Sequence, residues 1–178
     1  MKSFFISSLL FLCLSSGQAY CDDLESAAHL KVTLRNVGAG PCVLKKAEFK
    51  SGALLTGQQI PTPLPADGSN HSFTMDTNMF SHKPLMSEID LQYQCDIEEE
   101  QKFIKFSIKS GLDPAHDTVY DCPANGASDV KDEGELELKV IEQADVFATI
   151  TKSVKPTYGR CIINPIQQGG SVTIELSH

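Results

Sequence analysis

Tryptophan is absent from this chain, and aromatic residues make up only 7% of its 178 positions. Positive charge is also scarce, with 15 Lys and Arg against 23 Asp and Glu, a formal net charge of −8. Binding a phosphate backbone needs concentrated positive charge, so nucleic acid is excluded as a partner. Simple electrostatic adhesion to anionic lipid is disfavoured for the same reason. No Cys-x-x-Cys occurs, which removes a redox dithiol and a zinc knuckle. His29, His71, His82, His116 and His178 are scattered, with no His-Glu-x-x-His to place two imidazoles on one helix face. The Gly-x-Ser-x-Gly elbow and any recognisable Cys/His nucleophile signature are missing too. No helical period, internal repeat or low-complexity segment is visible. These absences argue against an enzyme and give no reason to expect a cofactor or metal.

What is present begins with an export signal. Lys2 precedes the apolar run Phe4 to Leu14, and small or polar residues follow up to Ala19. This is the order of a secretory signal peptide, with Gly17 and Ala19 at the −3 and −1 positions of a cleavage after residue 19. The run is too short to span a bilayer, and no later segment is apolar for long enough, so no transmembrane segment is expected. Lipid attachment at Cys21 would need a small residue before it and a Leu-like one three before; Tyr20 and Gln18 stand there instead. Processing would remove one charge, Lys2, leaving fourteen basic against twenty-three acidic side chains, a formal charge of −9. The expected product is a single secreted domain over 20–178, extracellular or periplasmic, with acidity serving solubility.

In that compartment cysteines pair. Cys13 leaves with the signal, and Cys21, Cys42, Cys95, Cys122 and Cys161 remain. Five cysteines allow at most two internal bridges, in fifteen arrangements. We expect Cys42 with Cys95 and Cys122 with Cys161, each contributing about 2–4 kcal/mol by closing a long loop. Cys21 is then free near the new N-terminus, or bridges two copies as a disulfide-linked dimer.

The clearest local pattern is Ile89 to Lys109. Ile89, Leu91, Tyr93, Cys95 and Ile97 alternate with polar residues, and after the charged run Glu98 to Lys102 the alternation resumes at Ile104, Phe106 and Ile108. A period of two puts the apolar set on one face of a strand, so this reads as an antiparallel hairpin joined by about five polar residues. Leu30, Val32 and Leu34 begin an earlier strand, and Val172, Ile174 and Leu176 make a last one. Leu136, Leu138 and Val140 alternate as well, and Val146 to Thr151 is β-prone. Cys42 to Phe49 is less regular, and the adjacent Lys45 and Lys46 mark an edge or a bulge. Ile60 to Gly68 holds three prolines and cannot be a central strand. Asp22 to Ala28 is consistent with a short helical turn. Eight or nine short strands with turn signals between them predict an all-β, antiparallel β-sandwich containing disulfides.

Alternating with Phe73 and Met75, His71 reads as a partly buried strand residue. The acidic connection 111–134 invites a calcium site, and Asp129 taken as the first EF-hand ligand puts Gly134 correctly sixth. Lys131 then falls third and Val140 twelfth, where oxygen ligands are required, so the loop is not an EF-hand. A looser calcium site there stays open beside a solvated loop. Asn70-His71-Ser72 is a glycosylation sequon that matters in a eukaryote.

The order of features from Leu30 to Lys109 resembles the aegerolysin and actinoporin-like β-sandwich group. The parallel runs through LKVTLRN, a polar strand near Phe49, Gly52 to Gly57, Ile60-Pro61, HSFTM, IDLQYQC and FIKFSIK. It covers about half of the mature chain. It implies a β-sandwich that recognises membrane lipid, as members of that group do, some with a pore-forming partner. The lack of tryptophan and the five cysteines depart from that group.

The function expected is non-enzymatic binding of a cell-surface lipid or protein, in the manner of a toxin or virulence factor, through an end loop. The candidate loop residues are Asn78, Met79, Phe80, His82 and Lys83, with Met79 and Phe80 entering an apolar ligand unless Phe80 folds back to cap the core. The alternatives are an assembly protein of the envelope or matrix, pairing through edges such as Val43 to Phe49, and an exported hydrolase or inhibitor.

Overall fold

The structure, a computed structural model, describes residues 29–76, 86–111, 131–159 and 169–178. Among the described residues eleven strands follow one another: β1 (His29–Val37), β2 (Cys42–Ser51), β3 (Ala53–Leu54), β4 (Asn70–Asp76), β5 (Met86–Ile97), β6 (Glu100–Gly111), β7 (Lys131–Glu133), β8 (Glu135–Ala144), β9 (Phe147–Val154), β10 (Thr157–Gly159) and β11 (Gly170–Ser177). They form a five-stranded sheet ordered β3-β4-β1-β11-β9, a four-stranded sheet ordered β2-β5-β6-β8, and a two-stranded ribbon β10-β7. The expected sandwich is present.

Its core is the sum of the period-two faces. From the larger sheet come Leu30, Val32, Leu34, Phe73, Met75, Val172, Ile174 and Leu176. From the smaller sheet come Ile89, Leu91, Tyr93, Ile104, Phe106 and Ile108, all in one buried cluster. Tyr93 and Phe106 stack with ring centroids 6.4 Å apart. The hairpin β5–β6 pairs Ile89 with Ile108 and Leu91 with Phe106, the register in which both inward sets meet.

Two features differ from expectation. The hairpin turn is two residues long, Glu98 and Glu99, with φ of 50° and 68°. A pair of left-handed residues matches the right-handed twist of the strands they join. The flanking Glu100, Gln101 and Lys102 therefore belong to β6, although their charge reads as loop. The second difference is that β1 and β11 pair in parallel, Leu30 beside Gly170 through Val37 beside Ser177. Every other pairing among the described residues is antiparallel.

As its two lysines indicated, β2 is an edge, with a register shift between Leu44 and Lys46. Ile60 to Gly68 forms no strand; Leu64 alone bridges to Cys42. Cys42 and Cys95 face each other across β2 and β5 and are disulfide-bonded. Cys21, Cys122, Cys161 and the segment Asp22 to Ala28 lie outside the described residues.

Candidate functional site

The strand directions bring the described strand ends to one of two poles, and residues 55–69 run from one pole to the other. At the first end β1 runs into Gly38–Pro41, β5 turns into β6 through Glu98-Glu99, and β8 turns into β9 through Asp145-Val146. This closed pole is built around Asn36. The residue continues the inward series Leu30, Val32, Leu34, yet it is a fully buried amide. Its Nδ2 donates to the carbonyls of Gly40 and Leu64, and its Oδ1 accepts from the Ala39 N–H at 3.2 Å. Its own carbonyl accepts from the Gly68 N–H at 2.9 Å. One side chain thus satisfies the backbone of two turns that would otherwise bury unpaired groups.

Gly40 makes this crossing fit. Its φ is 67°, and an added Cβ would stand 1.7 Å from the Asp96 carbonyl oxygen. The disulfide lies beside it, and the Tyr93 hydroxyl donates to the Pro61 carbonyl at 2.8 Å. Lys102 reaches both Glu100 (2.6 Å) and Asp145 (3.0 Å), tying the two hairpin turns together. These hydrogen bonds, to Glu100 first and then Asp145, raise its pKa.

The other end is different. Here β4 ends at Asp76, β5 begins at Met86, β6 ends at Gly111 and β11 begins at Gly170. The strands that bracket residues 77–85 and 112–130 therefore open onto the same pole, as does the ribbon β7–β10, which continues β8 and β9 beyond the sheets. At its base the Gly134 N–H donates to the Pro156 carbonyl at 2.8 Å, and buried Pro156 and Leu30 both lie over Gly170.

This open pole is polar on its inner layer. Ser87 faces Ser110 across β5 and β6, and both are buried. The Ser87 hydroxyl and His29 Nε2 have no hydrogen-bond partner among the described residues, although His29 lies 3.7 Å from Asp76. Gly52, with φ of 73°, lets the corner between β2 and β3 pass under the Asp76 carbonyl, where a Cβ would stand 2.4 Å away. The rim carries ion pairs Lys109–Glu135 (3.1 Å) and Lys155–Glu133 (3.4 Å). Glu135 raises the Lys109 pKa, chiefly through its hydrogen bond.

Asn78, Met79, Phe80, His82 and Lys83 lie outside the described residues; Asp76 and Met86, which bracket their segment, are at the open pole. Most of the acidic connection 111–134 lies outside them too. Among the described residues no three His, Cys, Asp or Glu side chains converge as metal ligands, and no helix is long and apolar enough to cross a membrane. His71 is half-buried, as its alternation implied, with Nε2 2.8 Å from the Ser69 hydroxyl. Sequence reading missed Asn36 as the closing residue of the other pole. Its signal was available: an amide at the fourth inward position of β1, just before a glycine turn.

A scan against protein-family models finds no match, and a search of curated proteins finds none either. Among solved structures the chain is similar to the lipid binding protein Nakanori, at 10% identity and a TM-score of 0.43, over 84% of this chain and 71% of that one. It is also similar to IP-1A from Alcaligenes faecalis, at 10% identity and a TM-score of 0.39, over 85% of this chain and 92% of that one. Neither likeness says what this chain binds. The β-sandwich implied by the aegerolysin-like order of features is present; the lipid recognition implied with it is a matter for proposal.

Proposed function

We propose that this chain is an exported, non-enzymatic β-sandwich that binds a cell-surface ligand through its open pole, with membrane lipid the first class to test. The supporting observation is the asymmetry of the two ends. Short turns, a buried amide that holds the 55–69 connection in place, and a disulfide close one pole, while β4, β5, β6 and β11 have chain ends at the other. In a β-sandwich, binding residues sit on end loops held by a rigid scaffold. Asn78 to Lys83 is the segment we assign to contact, with Met79 and Phe80 as apolar anchors and His82 and Lys83 beside them. The bridge between Cys42 and Cys95 fits an oxidising compartment.

The test is co-sedimentation of the oxidised mature protein with liposomes of varied lipid composition, with and without calcium. Selective pelleting with one lipid class, lost in Phe80→Ala at unchanged melting temperature, supports the reading. Unchanged binding with a lowered melting temperature makes Phe80 a cap of the core. No pelleting under any condition overturns lipid as the ligand.

A further inference from the structure

A sandwich of two open sheets has four edge strands, and each presents unpaired backbone groups. Three of the four are guarded. β2 carries Lys45, Lys46, Glu48 and Lys50 and two register shifts, and Thr62 to Leu64 laces onto its start. β3 is two residues long. β8 carries Glu135, Glu137, Lys139 and Glu142 along with a bulge.

β9 has a register shift as well, but it is neither short nor lined with charge. Its sequence FATITKSV is β-prone, lacks proline and holds one charge, Lys152. No described strand pairs with its outer edge. It also exposes two large apolar side chains, Phe147 (48%) and Val154 (43%). Residues seven apart on a regular strand point to opposite faces. The register shift near Thr151 corrects this, because Lys152 pairs with Thr173 while Ile150 pairs with Ile174. Phe147 and Val154 therefore both lie on the outer face, opposite Ser177 and Ser171.

That arrangement is self-complementary. We propose that β9 pairs antiparallel with β9 of a second copy of this chain, about a two-fold axis, making one continuous sheet across the dimer. In the register that sets Phe147 against Val154 of the partner, the apolar pair forms twice, once at each end. Ala148 then meets Ser153 and Thr149 meets Lys152, with no like charges opposed. An isologous contact of this kind needs one patch on each copy, and this patch matches itself. The interface is short, so the association is reversible and concentration-dependent. It is independent of the lipid reading, since β9 lies on the flank between the poles.

Sedimentation velocity over a wide concentration range tests it, in a Cys21→Ser background that removes a covalent dimer through that thiol. The parent protein is expected to shift from monomer to twice that mass. F147K/V154K sets lysines opposite each other at both ends and is expected to stay monomeric with its melting temperature retained. F147K/V154E restores opposite charges in the same register and is expected to dimerise again, less so at high salt. V140K/I141K on β8 should dimerise like the parent. A parent that is monomeric throughout overturns the proposal. So does loss of the dimer in V140K/I141K, or identical behaviour of the two β9 charge variants.

Discussion

The two poles of this sandwich are made from the same strands and the same alternating pattern, yet they treat buried polar groups in opposite ways. At the closed pole Asn36 is fully buried and hydrogen-bonded to Gly40, Leu64 and Ala39. At the open pole the Ser87 hydroxyl is buried without a partner among the described residues. A satisfied buried network fixes a unique arrangement, whereas an unsatisfied group only costs stability. One end is therefore fixed by a satisfied polar network, while the other keeps a buried hydroxyl without a described partner.

The comparison can be broken most severely at Asn36. Asn36→Ala removes the partner of two carbonyls and an N–H in a dry site, and about 3 kcal/mol or more of stability should be lost. Denaturant unfolding measures it, and a loss below about 1 kcal/mol would mean that water replaces the amide. Replacing Cys42 and Cys95 together by alanine opens a loop with a sequence separation of 53. The expected cost is about 2–4 kcal/mol, read from the same experiment. At the open pole Ser87→Ala should be neutral or stabilising by up to about 1 kcal/mol, because it deletes an unpaired hydroxyl. A clear destabilisation there would show that Ser87 has a partner, and the contrast between the poles would weaken.

The smallest effect concerns the outer face of the four-stranded sheet. Hydrogen bonds from Lys46 and then Lys50 lower the Glu48 pKa from 4.5 to about 2. A lowered folded-state value means stability present above about 4.5 and lost as the pH falls toward 2. The pair is exposed, so solvent screens it and the loss should be slight. Carboxyl chemical shifts should place the Glu48 midpoint near 2, and Lys46→Ala should raise it.

Local pattern made much of the fold legible. Leu30, Ile89, Ile104 and Val172 each begin an alternation whose inward set is the core, and paired lysines marked β2 as an edge. The tight turn at Glu98-Glu99 was hidden because neither residue favours a left-handed backbone, so charge pointed to a longer loop. β7 and β10 are three residues each and lie beyond the strands they extend, too short to show a period. The convergence of chain ends at the open pole depends on which strands are neighbours. No window of sequence carries that information, whereas the buried role of Asn36 could have been read from its place in the alternation.

The parallel pairing of β1 with β11 has a consequence for how the chain must be made. The strand that completes the middle of the larger sheet ends at residue 177. Until it arrives, β1 has a neighbour on one side only and β9 has none in that sheet. A polypeptide emerging N-terminus first from a ribosome cannot finish this sheet before residue 177 has come through. Such late closure delays folding and leaves strand edges bare in the meantime.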